Sequence, residues 1–342
     1  MPLLAAAWGS AGYARRVSPR TRIRAVVALV ALVAAGIAVG AALHGRGGGG
    51  GSTAVGKRAA PPLQLSILVR NDAEARALRA AETAYDAGRR VEARRQFERL
   101  LQHDPGSVEA SVGAAVAEWP DGTVDKLRAL TASHPDSALV RLHLGLALYA
   151  SGDNAGANVQ WREAERREPD SPSALRAEDL LHPNMAPGRP FFYPALAPPR
   201  GIAELSPPEQ LKELHRVASG GGVDDNLLYG VALQRVGRPV SALAAFDRAL
   251  SLDPKSVAAQ VAAAVGRFDK DKPAAAFSQL GPLAQAYPRA AVVRFHLGLL
   301  LLWIRDVKDA RTQLQRAADA DRRGNYGREA RALLSRLELI GT

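Results

Sequence analysis

Residues 104–116 read DPGSVEASVGAAV and residues 253–265 read DPKSVAAQVAAAV, identical at nine of thirteen positions. Residues 140–146, VRLHLGL, return at 293–299 as VRFHLGL with one change, and Leu180-Leu181 returns as Leu333-Leu334 at the same spacing of 153. Self-similarity on this scale marks stacked supersecondary units. The chain therefore contains two related halves, about 71–181 and 222–340. A shorter period lies inside each half: Pro135 to Pro169 and Pro254 to Pro288 both span 34 residues. Proline lacks the N–H a helix needs and bars helical backbone just before it. Each of these prolines is expected to close a pair of amphipathic helices.

Small and large residues recur within that period. Gly145, Ala157, Trp161 and Ala164 precede Pro169, and Gly230, Ala242, Phe246 and Ala249 precede Pro254. Ala81, Ala93 and Phe97 precede Pro105 in the same way, and Gly298, Ala310, Leu314 and Ala317 form the last set. Small residues let paired helices approach, and the large apolar group fills the space left between them. Gly88, Gly152 and Gly237 fall where the first helix of a pair needs a left-handed residue to end. On these residues the chain resembles the tetratricopeptide repeat family. The resemblance implies an all-α solenoid of six repeats in two blocks, 71–181 and 222–342. The second repeat is four residues short and ends at Pro135. Ser173–Leu181 and Arg328–Leu339 are expected to cap the blocks.

The chain has 342 residues and a formal charge of +11. Of this, +9 falls on residues 1–70 and only +2 on the rest, so the repeat region is not a broad phosphate-binding surface, and no nucleic-acid partner is expected. There is no cysteine, which excludes disulfides and thiolate metal sites.

Residues 25–43, AVVALVALVAAGIAVGAAL, are nineteen in number and none is polar. As a helix they would reach about 29 Å, close to the thickness of a bilayer's hydrocarbon core. Arg15, Arg16, Arg20, Arg22 and Arg24 precede the run, whereas Arg46, Lys57 and Arg58 follow it. This asymmetry predicts a single-pass anchor with residues 1–24 in the cytoplasm and the repeats outside it. A cleaved signal peptide is the competing reading, with Val39-Gly40-Ala41 as the small-residue site. Residues 44–70, with five glycines at 47–51, read as a flexible tether reaching roughly 30 Å. Leu63, Leu65, Ile67 and Val69 alternate with other residues; no partner strand is evident, so they are expected at an edge of the first helical layer.

Residues 182–221 separate the blocks as a proline-rich linker with one helix at 208–219. Eight prolines between 183 and 208 forbid a helix there, yet Phe191-Phe192-Tyr193 sit among them. These aromatics either pack against the blocks and set their angle, or occupy a groove.

The seven histidines include no HxxxH or HExxH spacing, and no phosphate loop or nucleophile elbow occurs. No catalysis, metal or cofactor is expected. His143 and His296 recur through the duplication and read as packed helix residues. The remaining candidate is the concave face that the resemblance implies. Its groove residues would be Tyr85, Trp119, Leu142, Tyr149, Leu227, Phe268, Phe295 and Leu302. Such an apolar, aromatic groove suits a protein or peptide partner. With only Arg235 basic among these positions, clamping of a terminal carboxylate is not expected. The reading is a membrane-tethered binding scaffold of the bacterial envelope. A self-assembling structural component, with Gly36 and Gly40 as a helix-contact motif, is the alternative.

Overall fold

The structure, a computed structural model, describes residues 59–340 except Leu68. The expected anchor at 25–43 and most of the tether lie outside the described residues. Among those described, no helix is long and apolar enough to cross a membrane. They form sixteen helices and no strand, divided between Leu181 and His182 into two units.

The first unit holds α1 (Ala73–Asp86), α2 (Arg90–His103), α3 (Val108–Ala117), α4 (Thr123–Ser133), α5 (Ala138–Ser151), α6 (Asn154–Arg167) and the closing helix α7 (Pro172–Leu181). The second holds the one-turn α8 (Arg200–Ala203), α9 (Pro207–Ser219), α10 (Val223–Arg235), α11 (Pro239–Leu252), α12 (Val257–Gly266), α13 (Ala274–Ala286), α14 (Ala291–Trp303), α15 (Val307–Ala320) and the closing helix α16 (Asn325–Ile340). Each unit is three antiparallel helix pairs, each pair packed on the next, ending in a closing helix. In the second unit α9 adds a layer, with Leu214 in one apolar cluster with Leu228 and Ala232 of α10.

The start of each new pair is written two residues after the closing proline. Ser107, Ser137 and Ser256 each accept a hydrogen bond from the backbone N–H three residues on, capping α3, α5 and α12. Such a cap stabilises a helix by about 1 kcal/mol. The left-handed residues also fall as expected: φ is 78° at Gly88, 93° at Gly152 and 70° at Gly237. In the last pair Arg305 takes that place with φ 64°.

The small–large pairing within each repeat is tight. A Cβ on Gly145 would lie 2.3 Å from the Trp161 indole, and one on Gly230 would lie 2.3 Å from the Phe246 ring. Trp161 is 3% exposed and donates its indole N–H to the Leu142 carbonyl at 3.3 Å.

Two local readings differ from expectation, and a third falls within an alternative left open. The first helices of the second and fifth pairs are ten residues long, so Trp119 and Phe268 lie past their ends, in the turns that follow. Residues 59–67 do not behave as tether: Leu63 and Ile67 are buried in the first unit's core. Residues 186–196 likewise do not behave as a free linker, because Ala186 and Phe192 are buried in the second unit's core. Both stretches are extended rather than helical, and both are packed because they bring large apolar side chains to a surface that still has room for them.

Candidate functional site

In the first unit the inner helices α1 and α5 and the closing helix α7 grip residues 61–67 through the segment's main chain and one side chain. The Tyr85 hydroxyl donates to the Pro61 carbonyl at 2.5 Å. The Gln64 N–H donates to Nε2 of His143 at 3.1 Å, and the Leu65 N–H to the Glu82 carboxylate at 2.8 Å. The Ser66 and Ser173 hydroxyls bond at 2.7 Å. Between these points Leu63 and Ile67 enter one apolar cluster with Tyr85, Trp119 and Leu142.

The second unit repeats the arrangement with residues 186–196. The Phe192 N–H donates to the Gln234 side-chain oxygen at 3.1 Å, and the Tyr193 N–H to Nε2 of His296 at 2.9 Å. The Trp303 indole donates to the Gly188 carbonyl at 3.0 Å, and the Tyr326 hydroxyl to the Tyr193 carbonyl at 2.9 Å. Phe192 meets Phe246 edge-on at 5.6 Å between ring centroids and stacks on His296 at 5.1 Å. Tyr193 meets Phe295 edge-on at 6.0 Å.

The two histidines do the same chemistry. Nδ1 of His143 lies 2.8 Å from the Leu139 carbonyl, and Nδ1 of His296 lies 2.6 Å from that of Val292. A carbonyl only accepts, so Nδ1 carries the proton and the Nε2 lone pair is left to accept from the segment. This needs a neutral ring. Burial supplies it: both side chains are fully buried, and each imidazole is pushed down to about 4. Burial also raises Tyr85 to about 12, and lifts Tyr193 and Tyr326 well above the usual phenol value. The Glu82 carboxyl is raised by burial, against the pull of the Leu65 N–H.

The expected groove residues are thus brought together, but not as an open groove. Tyr85, Trp119 and Leu142 are buried under the first unit's own segment, and Leu227, Phe268 and Phe295 are buried in the second unit. Tyr149 and Leu302 remain half-buried, Tyr149 against Trp161 at 5.9 Å and Leu302 against the apolar cluster that holds Phe295 and Leu299. The Phe191–Tyr193 stretch is the groove's occupant in its own unit. Sequence reasoning missed His143, His296, Ser173, Trp303 and Tyr326 as segment-binding groups. The signal for the histidines lies in the repeated VRxHLGL, which the duplication also explains.

The family pattern described as Tetratricopeptide repeat matches residues 78–126 and 124–172. Comparison with curated proteins yields no match. Among solved structures, the human IFIT1 dimer with m7Gppp-AAAA is 15% identical over 73% of this chain and 60% of its own, with a TM-score of 0.32. This chain therefore spans less than two thirds of that protein's length. Yeast Tom70 is 12% identical over 92% of this chain and 71% of its own, with a TM-score of 0.31. The C-terminal part of a repeat protein from Cytophaga hutchinsonii is 13% identical over 74% of this chain and 98% of its own, with a TM-score of 0.29. The family pattern lies within the first unit, and the Gly–aromatic pairs and helix-pair architecture recur in the second: residues 78–172 match the tetratricopeptide repeat, and both units are built from helix pairs of that kind.

Proposed function

We propose that this protein is a membrane-tethered scaffold of the bacterial cell envelope that binds protein partners and catalyses nothing. The observation that carries the binding part is the pair of filled grooves. Each unit holds an extended stretch of polypeptide by backbone hydrogen bonds and apolar anchors, which is how a peptide receptor works. The tether rests on the apolar run 25–43, the arginines before it and the five glycines after it. A membrane leash raises the local concentration of scaffold and partner.

Photo-crosslinking residues placed at Tyr149 and Leu302, on the half-buried rims, test this in native membranes. Adducts to a defined partner are expected from these two sites and not from exposed Val91 or Val159 on α2 and α6. Equal adducts from all four sites, or none from the rims, would contradict it. The grooves' being filled by the chain itself favours a second reading, a structural component that self-assembles. The mass of the full chain in detergent separates the two, since a strict monomer at micromolar concentration excludes self-assembly.

A further inference from the structure

The two bound segments have little sequence in common, yet three equivalent positions reach them, and the imidazole bond is the same in both units. Tyr85 and Gln234 stand 149 residues apart at equivalent places in α1 and α10, and each bonds the main chain of its segment. His143 and His296, 153 apart, each accept one segment N–H. Ser173 and Tyr326, also 153 apart, each reach the segment from the closing helix. Aligning the segments on the imidazole bond sets Pro61-Pro62-Leu63-Gln64 against Pro190-Phe191-Phe192-Tyr193. The first residue is a buried proline in both. The third is a large apolar side chain, Leu63 at 3% and Phe192 at 1% exposure. The second and fourth side chains differ between the units, Pro62 and Gln64 against Phe191 and Tyr193, and the fourth contributes its backbone N–H in both.

A frame that seats leucine in one unit and phenylalanine in the other reads backbone and two anchors, not one fixed sequence. Its acceptors, the Nε2 lone pairs and the Glu82 carboxylate, favour N–H donors and oppose a terminal carboxylate. Resting on the scaffold reading above, we propose that each groove is a receptor for an internal, extended peptide of the pattern proline, any residue, large apolar residue, any residue. The chain's own segment is then a built-in competitor that a partner segment of the same pattern displaces. An intramolecular competitor acts at an effective concentration in the millimolar range, so the partner must be abundant, multivalent or held nearby.

The test uses the full chain in detergent and a fluorescent peptide, GRPFFYPAL, copied from residues 188–196. Phe192→Asp ejects the second unit's own segment and should bind this peptide at least tenfold more tightly than the unaltered chain. Methylating the peptide's tyrosine nitrogen, or adding His296→Leu, should each reverse that gain at least tenfold. A Phe192→Asp protein with unchanged helix content that takes no peptide, or takes the methylated one equally, overturns the proposal. A measurement without variants stands beside it: millimolar peptide should speed hydrogen exchange at the Tyr193 amide of the unaltered chain at least tenfold, and unchanged exchange overturns the exchange of ligands. Peptide-sensitive dimers of the unaltered chain would assign the grooves to a second copy and equally overturn it. A negative result here leaves partner capture at the rims standing, because the crosslinking test does not pass through the segments.

Discussion

His143 and His296 bind their segments only as neutral rings protonated on Nδ1, and this makes the fold acid-sensitive. An exposed imidazole charges near pH 6.5, but both of these stay neutral down to about 4. As pH falls through that window the unfolded chain takes up protons that the folded chain refuses, so stability drops from about pH 6.5 and the histidine contribution is exhausted below about 4. Thermal melts across this range should show the loss, and His143→Gln with His296→Gln should flatten its slope; an unchanged slope would contradict the assignment. The glycines give a second test. Gly145→Ala and Gly230→Ala drive a methyl to 2.3 Å from Trp161 and Phe246, and should each destabilise by about 1–3 kcal/mol. At Arg305 the left-handed backbone is imposed on a side chain that pays for it, and Arg305→Gly should raise the melting temperature by the equivalent of about 1 kcal/mol.

The helices were legible because their rules are periodic. The prolines, the capping serines and the Gly–aromatic pairs each recur at a fixed spacing, and each corresponds to a contact in the structure. The extended segments were not legible, because nothing in them repeats. The prolines between 183 and 208 exclude helix around 190–194, although one turn of helix, α8, forms at Arg200–Ala203 between Pro199 and Pro207, and they say nothing about burial. Alternating Leu63, Leu65 and Ile67 with no partner strand point to an edge of the first helical layer, and the groups that meet this stretch's backbone are side chains of Tyr85, Glu82 and His143. Side-chain acceptors can satisfy an isolated extended backbone, and no local sequence pattern announces that. Six of the eight expected groove side chains are buried in the described structure, Tyr85, Trp119 and Leu142 in one cluster with Leu63 and Ile67 of the first unit's own segment. If the segments are core elements, Phe192→Ala should cost about 3–5 kcal/mol and Leu63→Ala about 2–5 kcal/mol, read by chemical denaturation. Losses under about 1 kcal/mol would mean the segments only rest on the surface.

Duplication copied more than helices. Each unit has a leading extended segment, three helix pairs and a closing helix; the imidazole bond from His143 or His296 recurs in both, and Tyr85 or Gln234 and Ser173 or Tyr326 reach the segments from equivalent positions by different bonds. The charge excess lies ahead of these units, on residues 1–70, which fits a cytoplasmic flank and basic tether around an anchor. Deleting residues 25–43 should release the protein from membranes in carbonate extraction, and retention would contradict the proposed anchor. The central claim, that both units hold their own chain through an imidazole acceptor, is read most directly by NMR on the ¹⁵N-labelled protein. Scalar coupling across the hydrogen bonds should link the Gln64 amide nitrogen to Nε2 of His143 and the Tyr193 amide nitrogen to Nε2 of His296, with both rings protonated at Nδ1. Rings protonated at Nε2, with Gln64 and Tyr193 amides exchanging at solvent rates, would contradict it.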